Sequence, residues 1–188
     1  MLERSDIGSF ADPADVPISK GTVRHINAAF RTHYGDGGVP KTVRRCVLAA
    51  SVRAPQDWHH DAIKAAYANR DRDWKLTAVF AMRWVDGFEA SIIEALQSDD
   101  NDIRCEAVCA AGNWGIDAAW SYVQPMLSFN DTDKRVLLAA IEAVASIRPQ
   151  QAAAVLSELA VAADDDIVVA AQDALAVAEA QLQRQDDD

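Results

Sequence analysis

Residues 100–115 read DNDIRCEAVCAAGNWG, and this stretch decides the fold. Ile103, Ala107, Ala110 and Ala111 stand at relative positions 0, +4, +7 and +8. That spacing is one face of an α-helix, and small residues on the face let a neighbouring helix come close. The pattern returns in DKRVLLAAIEAVASIRP at 133–149, through Val136, Ala140, Ala143 and Val144. It returns again in DDDIVVAAQDALAVAE at 164–179, through Ile167, Ala171, Ala174 and Leu175. Working towards the N-terminus, Trp74 leads to Ala78, Ala81 and Met82, and Val43 leads to Val47, Ala50 and Ser51. The five anchors are 29 to 33 residues apart.

Between the anchors lies a second set of amphipathic stretches. Ala62, Ile63, Ala66 and Tyr67 share a stripe in 57–68, and Phe88, Ile92 and Leu96 share one in 88–97. Ile116, Trp120, Val123 and Leu127 do so in 116–128, and Ala152, Val155 and Leu159 in 150–160. Turns are expected at Pro55, Gly87, Gly112 with Gly115, and Pro149, because Pro and Gly stop or start helices. Pro125 removes a backbone donor, so it should kink or shorten the helix at 116–128. Acidic leads at Asp71 and Asp73, Asp99 to Asp102, Asp131 and Asp133, and Asp164 to Asp166 are placed to cap the first helices. Each unit is therefore a helical hairpin of about 30 residues, and a hairpin buries its apolar face only by stacking on its neighbours. The fold expected is all-α, an α-α superhelix of about five hairpins. The division expected is an irregular lead over 1–19, the solenoid over 20–183 and a disordered acidic tail over 184–188. A further helix is expected over 20–34, with Val23, Ile26, Ala29 and Phe30 on its stripe, and the last helix should reach about Leu182.

The three quoted segments resemble HEAT repeats, and more closely the short HEAT-like repeats of the phycobilisome-lyase type. The resemblance covers about residues 40–180. It implies that second helices line the concave face of the array and that such arrays serve many roles. On that face the resemblance places Trp58, Asp61, Lys64, Glu94, Gln97, Ser121 and Gln124, a row of mixed charge suited to a protein or peptide surface. Trp58, at the start of a second helix, is the tryptophan expected to be exposed. Trp74 and Trp120 are expected in the core, and Trp84 and Trp114 to staple turns.

Charge narrows the partner classes. The net charge is −11, with 12 Lys and Arg against 9 Asp and Glu in residues 1–75, and 6 against 20 in residues 76–188. An acidic body repels phosphate backbones, so nucleic-acid and anionic-membrane binding are not expected. Arg24, Arg31, Lys41, Arg44, Arg45 and Arg53 concentrate in the basic third, where ordinary solvated helix charge is the expected reading. Three cysteines, Cys46, Cys105 and Cys109, do not suggest a disulfide framework, and Cys105 and Cys109 are expected as buried small apolar residues. The first residues carry acids and no apolar run, and no stretch approaches the length of a membrane span, so a cytoplasmic setting is expected.

No convergent catalytic set appears, and neither a cofactor nor a metal is expected. His59 and His60 are adjacent and point about 100° apart on a helix, so they do not share an ion; a polar, exposed helix start is expected there. The His-Glu pairs of deoxyhypusine hydroxylase, a diiron enzyme of similar repeat architecture, are missing. Gly35–Gly38 lacks the Lys-Ser/Thr of a phosphate loop. The resulting expectation is a non-enzymatic scaffold that holds a protein partner. The rival is an enzyme or accessory on the same scaffold, of the chromophore-lyase type or like the HEAT-like alkylpurine DNA glycosylases, for which Trp120 with Asp117, or Trp58 with Asp61, would be the residues to consider.

Overall fold

The computed structural model describes residues 20–128, 132–161 and 164–186. Among these are ten α-helices, three 3-10 turns and no strand. The helices are α1 (Lys20–Gly35), α2 (Lys41–Ser51), α3 (Asp57–Tyr67), α4 (Arg72–Ala81), α5 (Glu89–Ala95), α6 (Asn101–Trp114), α7 (Trp120–Val123), α8 (Lys134–Ile147), α9 (Pro149–Leu156) and α10 (Asp165–Asp186). Hairpins α2/α3, α4/α5, α6/α7 and α8/α9 follow one another, with α1 before and α10 after them. The last helix passes the expected end near Leu182. The 1–19 lead, Asp131, Asp187 and Asp188 lie outside the described residues.

The small-residue face reads as expected in four units. Trp74, Ala78, Ala81 and Met82 on α4 and its end, Ile103, Ala107, Ala110 and Ala111 on α6, and Val136, Ala140, Ala143 and Val144 on α8 are all buried. On α10, Ile167, Ala171 and Ala174 are buried and Leu175 half-buried. The first unit corrects the expected register. Val43 is 47% exposed, and Leu48 and Val52 are buried beside the expected Ser51. The anchor position is held by Arg44, whose guanidinium lies 5.6 Å from the ring centres of both Tyr34 and Trp74. An arginine can serve as an anchor because its stem is apolar and its planar head stacks on aromatic faces. On α1, Ile26 and Ala29 are exposed, since no described element covers that stripe.

Aspartates begin the first helices. The carboxylates of Asp71, Asp100, Asp133 and Asp164 accept from the backbone N–H of Asp73, Asp102, Arg135 and Asp166, at 2.9, 2.9, 3.0 and 3.1 Å. Each satisfies a donor that the first turn leaves open. The same aspartates receive cations from the preceding unit. Lys41 Nζ lies 2.8 Å from Asp71 and 3.2 Å from Asp73. Arg72 holds Asp100 and Asp102, and Lys134 holds Asp164 and Asp166. At the remaining step the cation's place is taken by Asn101, and Arg135 reaches back to Asp102 instead, at 2.6 Å.

Among the described residues, two glycines carry backbone that other residues rarely adopt: Gly87 at φ +80°, and Gly115 at φ +56°, which closes α6. Gly112 corrects the expected turn. It lies inside α6, where a Cβ would sit 2.9 Å from both Cα and Cβ of Ala143 on α8. Pro125 breaks the second helix of its unit as expected: α7 is a single turn between 3-10 turns at Asp117–Ala119 and Gln124–Leu127.

Candidate functional site

Tyrosines tie α1 to α3 and α3 to α5. Tyr34 on α1 donates its hydroxyl to the carbonyl of Ala62 on α3 at 3.2 Å, and Tyr67 on α3 donates to Ser91 on α5 at 3.2 Å. Burial raises the Tyr67 hydroxyl above its ordinary value, and the nearby Glu94 carboxylate pushes it the same way. Lys75 lies 4.8 Å from the centre of the Tyr67 ring and 3.6 Å from Glu94. Further along, Gln97 lines a cleft of about 260 Å³ with Pro125 and Met126, beside the broken second helix.

Six of the seven residues expected on this row are exposed: Asp61 and Lys64 on α3, Glu94 on α5, Gln97 just beyond it, Ser121 on α7 and Gln124 in the following turn. Trp58 departs from expectation. It is half-buried, its ring centre 5.4 Å from that of Tyr34 and 4.0 Å from that of His59, and its Nε1 is buried with no partner. It packs α3 against α1 and is not an exposed anchor.

His59 corrects the expectation of a polar, exposed helix start. It is fully buried, and its ring completes a chain of hydrogen bonds. The Gln56 N–H donates to Nδ1 at 2.8 Å, Nε2 lies 2.8 Å from Ser51 Oγ, and Ser51 donates to the Leu48 carbonyl at 3.2 Å. A donor at Nδ1 requires the lone pair there, so the neutral ring carries its proton on Nε2 and donates to Ser51. Burial lowers the His59 pKa accordingly. Ser51 and His59 are both sealed from solvent, so their contact offers no nucleophile to a substrate. His60 is half-buried and lies against Phe88, with ring centres 4.7 Å apart.

The cysteines are more open than expected. Cys46 is exposed, and Cys105 and Cys109 are half-buried. Hydrogen bonding between the latter two thiols lowers Cys105 and raises Cys109, with burial adding to the second shift. Among the described residues, no group of three or more His, Cys, Asp and Glu side chains is arranged to hold a metal. Of the pairs considered for a glycosylase, Asp117 is held by Arg148 through two hydrogen bonds, at 2.6 and 2.9 Å, and the same guanidinium covers Trp120 at 5.4 Å. Hydrogen bonding to Arg148 holds the Asp117 carboxyl below its usual range. Trp120 is half-buried under this arginine. Two of the N-terminal cations are similarly engaged: Arg45 donates to Thr77 and pairs with Asp73, and Arg53 lies 5.4 Å from the Trp84 ring centre.

The tryptophan at the end of α6 staples two units, donating its Nε1–H to the Met82 carbonyl at 2.7 Å. With α4, α6, α8 and α10 joined by such contacts, the array is a continuous stack of hairpins.

Residues 89–176 match the family model for HEAT repeats.

The match runs from the start of α5 into α10, so it takes in the units whose anchors are Ile103, Val136 and Ile167. The earlier hairpins share the helical-repeat fold outside that match, with Arg44 and Trp74 where the later units carry aliphatic anchors. No curated protein matches the chain. Among the described residues no helix is long and apolar enough to cross a membrane.

Proposed function

We propose that this chain is a non-enzymatic scaffold whose HEAT-like hairpins hold a protein partner along the row of second helices. One observation carries the reading: Asp61, Lys64, Glu94, Gln97, Ser121 and Gln124 stand exposed on successive second helices. A stack of repeats offers its longest continuous surface along such a row, and polar, mixed-charge side chains on it suit a protein surface. HEAT repeats commonly act as protein-interaction scaffolds, which supports the same reading. The 20 acidic residues in 76–188 favour a protein over a nucleic acid as partner, and a cytoplasmic setting goes with it.

The test compares capture of partners by the wild-type chain with capture by Lys64→Glu and Glu94→Lys variants. Both residues are exposed, so the variants should melt with the wild type while losing the partner. If both keep the partner, and it is lost instead on changing Arg45 or Glu106 of the first helices, the proposal is refuted.

A further inference from the structure

The chain shows how it accommodates arginine beside tryptophan. Arg44 lies 5.6 Å from the Trp74 ring centre, Arg53 5.4 Å from that of Trp84, and Arg148 5.4 Å from that of Trp120. In the last case Asp117 grips the same guanidinium through two hydrogen bonds. A planar cation held between an aromatic face and a carboxylate satisfies its ring quadrupole contact and its N–H donors together.

Trp114 breaks the series. The residue is 44% exposed, and among the described residues no cation lies over its ring. The residue related to it as Arg53 is to Trp84 is Arg83, which pairs instead with Glu106 at 3.4 Å. The Trp114 ring is nonetheless fixed, because its Nε1–H is bound to the Met82 carbonyl. It forms one wall of a cleft of about 300 Å³ lined also by Phe88, Ile92 and the acidic residues Asp86, Glu89 and Asp117. No lysine or arginine lines this cleft. Asp117 is committed to Arg148, whereas Asp86 and Glu89 have no cationic partner among the described residues. Glycine backbone shapes both sides, at Gly87 and Gly115.

We propose that the Trp114 cleft receives an arginine side chain presented by a protein partner, its guanidinium on the indole face and its N–H groups on Asp86 and Glu89. The inference rests on the scaffold reading but uses the turns between paired helices rather than the second-helix row. Arginine is favoured over lysine because a planar fork stacks on indole and meets two carboxylates at once, which a point-like ammonium does not.

The experiment is a titration of ¹⁵N-labelled protein, at low ionic strength, with the capped tripeptide Gly-Arg-Gly and with its lysine and citrulline counterparts. Citrulline keeps the shape and removes the charge. The Trp114 indole resonance is assigned with Trp114→Phe. The arginine peptide should shift that resonance and the amides of Gly87 and Gly115 saturably. Asp86→Asn and Glu89→Gln, both exposed, should each weaken binding about two- to fivefold while leaving the remaining spectrum in place. Equal binding of the citrulline or lysine peptide, shifts centred on other indoles, or no saturable shift would overturn the proposal. So would the same shifts appearing on raising protein concentration alone, since the occupant would then be a second copy. Loss of the captured partner on changing Lys64 and Glu94, with no peptide response at Trp114, would sink this inference and leave the scaffold standing.

Discussion

Replacing Gly112 by Ala separates two effects of opposite sign. In an exposed helix interior the change stabilises by about 1 kcal/mol, because glycine is the poorer helix former. Here the added Cβ would lie 2.9 Å from the Cα and Cβ of Ala143. Neither atom is the end of a flexible side chain, so α6 and α8 must move apart, and overpacking of that kind costs about 1–3 kcal/mol. The expected net effect is a loss of about 1 kcal/mol, and a melting temperature lower by about 2–4 °C for a chain of this size. Urea unfolding followed by far-UV circular dichroism measures it, with Gly35→Ala as the comparison. A Cβ at Gly35 meets nothing within 4 Å, so that variant should match the wild type or gain up to about 1 kcal/mol. A Gly112→Ala protein at least as stable as wild type would refute the argument that this glycine sets the spacing of α6 and α8.

Three other outcomes follow from contacts described above. His59 is held neutral, with its pKa below the ordinary value of 6.5; as pH falls below 6.5 the unfolded chain takes up the proton first, so stability should drop towards the folded pKa, by up to about 1.4 kcal/mol per pH unit, and His59→Gln should flatten that slope in urea melts between pH 7.5 and 5.5. Asp133→Ala removes the carboxylate that accepts from Arg135 and Val136 at the start of α8, and should cost about 1 kcal/mol in the same melts; no change would show that water replaces the cap at no cost. Trp58→Ala should lower stability by about 2 kcal/mol, less than a fully buried tryptophan, because the ring is packed on Tyr34 and His59; unchanged melting with lost partner capture would restore it as a binding residue.

The repeat was legible because alanine at fixed helical offsets is hard to produce by anything but close helix stacking. The first unit lies one position off the expected register since Arg44 fills the anchor, and an arginine looks like surface in sequence when Tyr34 and Trp74 lie beneath it only in the fold. His59 looked like a solvated helix start because its partner, Ser51, belongs to the preceding helix, and burial of an imidazole follows from that pairing rather than from its neighbours in sequence. Gly112 suggested a turn, whereas only the approach of Ala143 explains it as a helix residue. Pro125 was readable, since a missing donor acts locally. The exposed row from Asp61 to Gln124 was readable as the polar side of amphipathic stretches. The Trp114 cleft was not, because α6 meets Asp86 and Glu89 only once two units are stacked.

The bonds between units have a kinetic consequence. Tyr34 to Ala62, Lys41 to Asp71, Trp114 to Met82, Lys134 to Asp164 and Arg135 to Asp102 all join residues 28 to 33 apart in the chain. Each such contact closes a loop of one hairpin, and the entropy of closure is therefore similar at every step. Among the described residues, contacts ordered in this way include no single pairing that must wait for distant ends to meet. Folding can begin at whichever neighbouring pair of hairpins docks first and spread outward, one hairpin at a time.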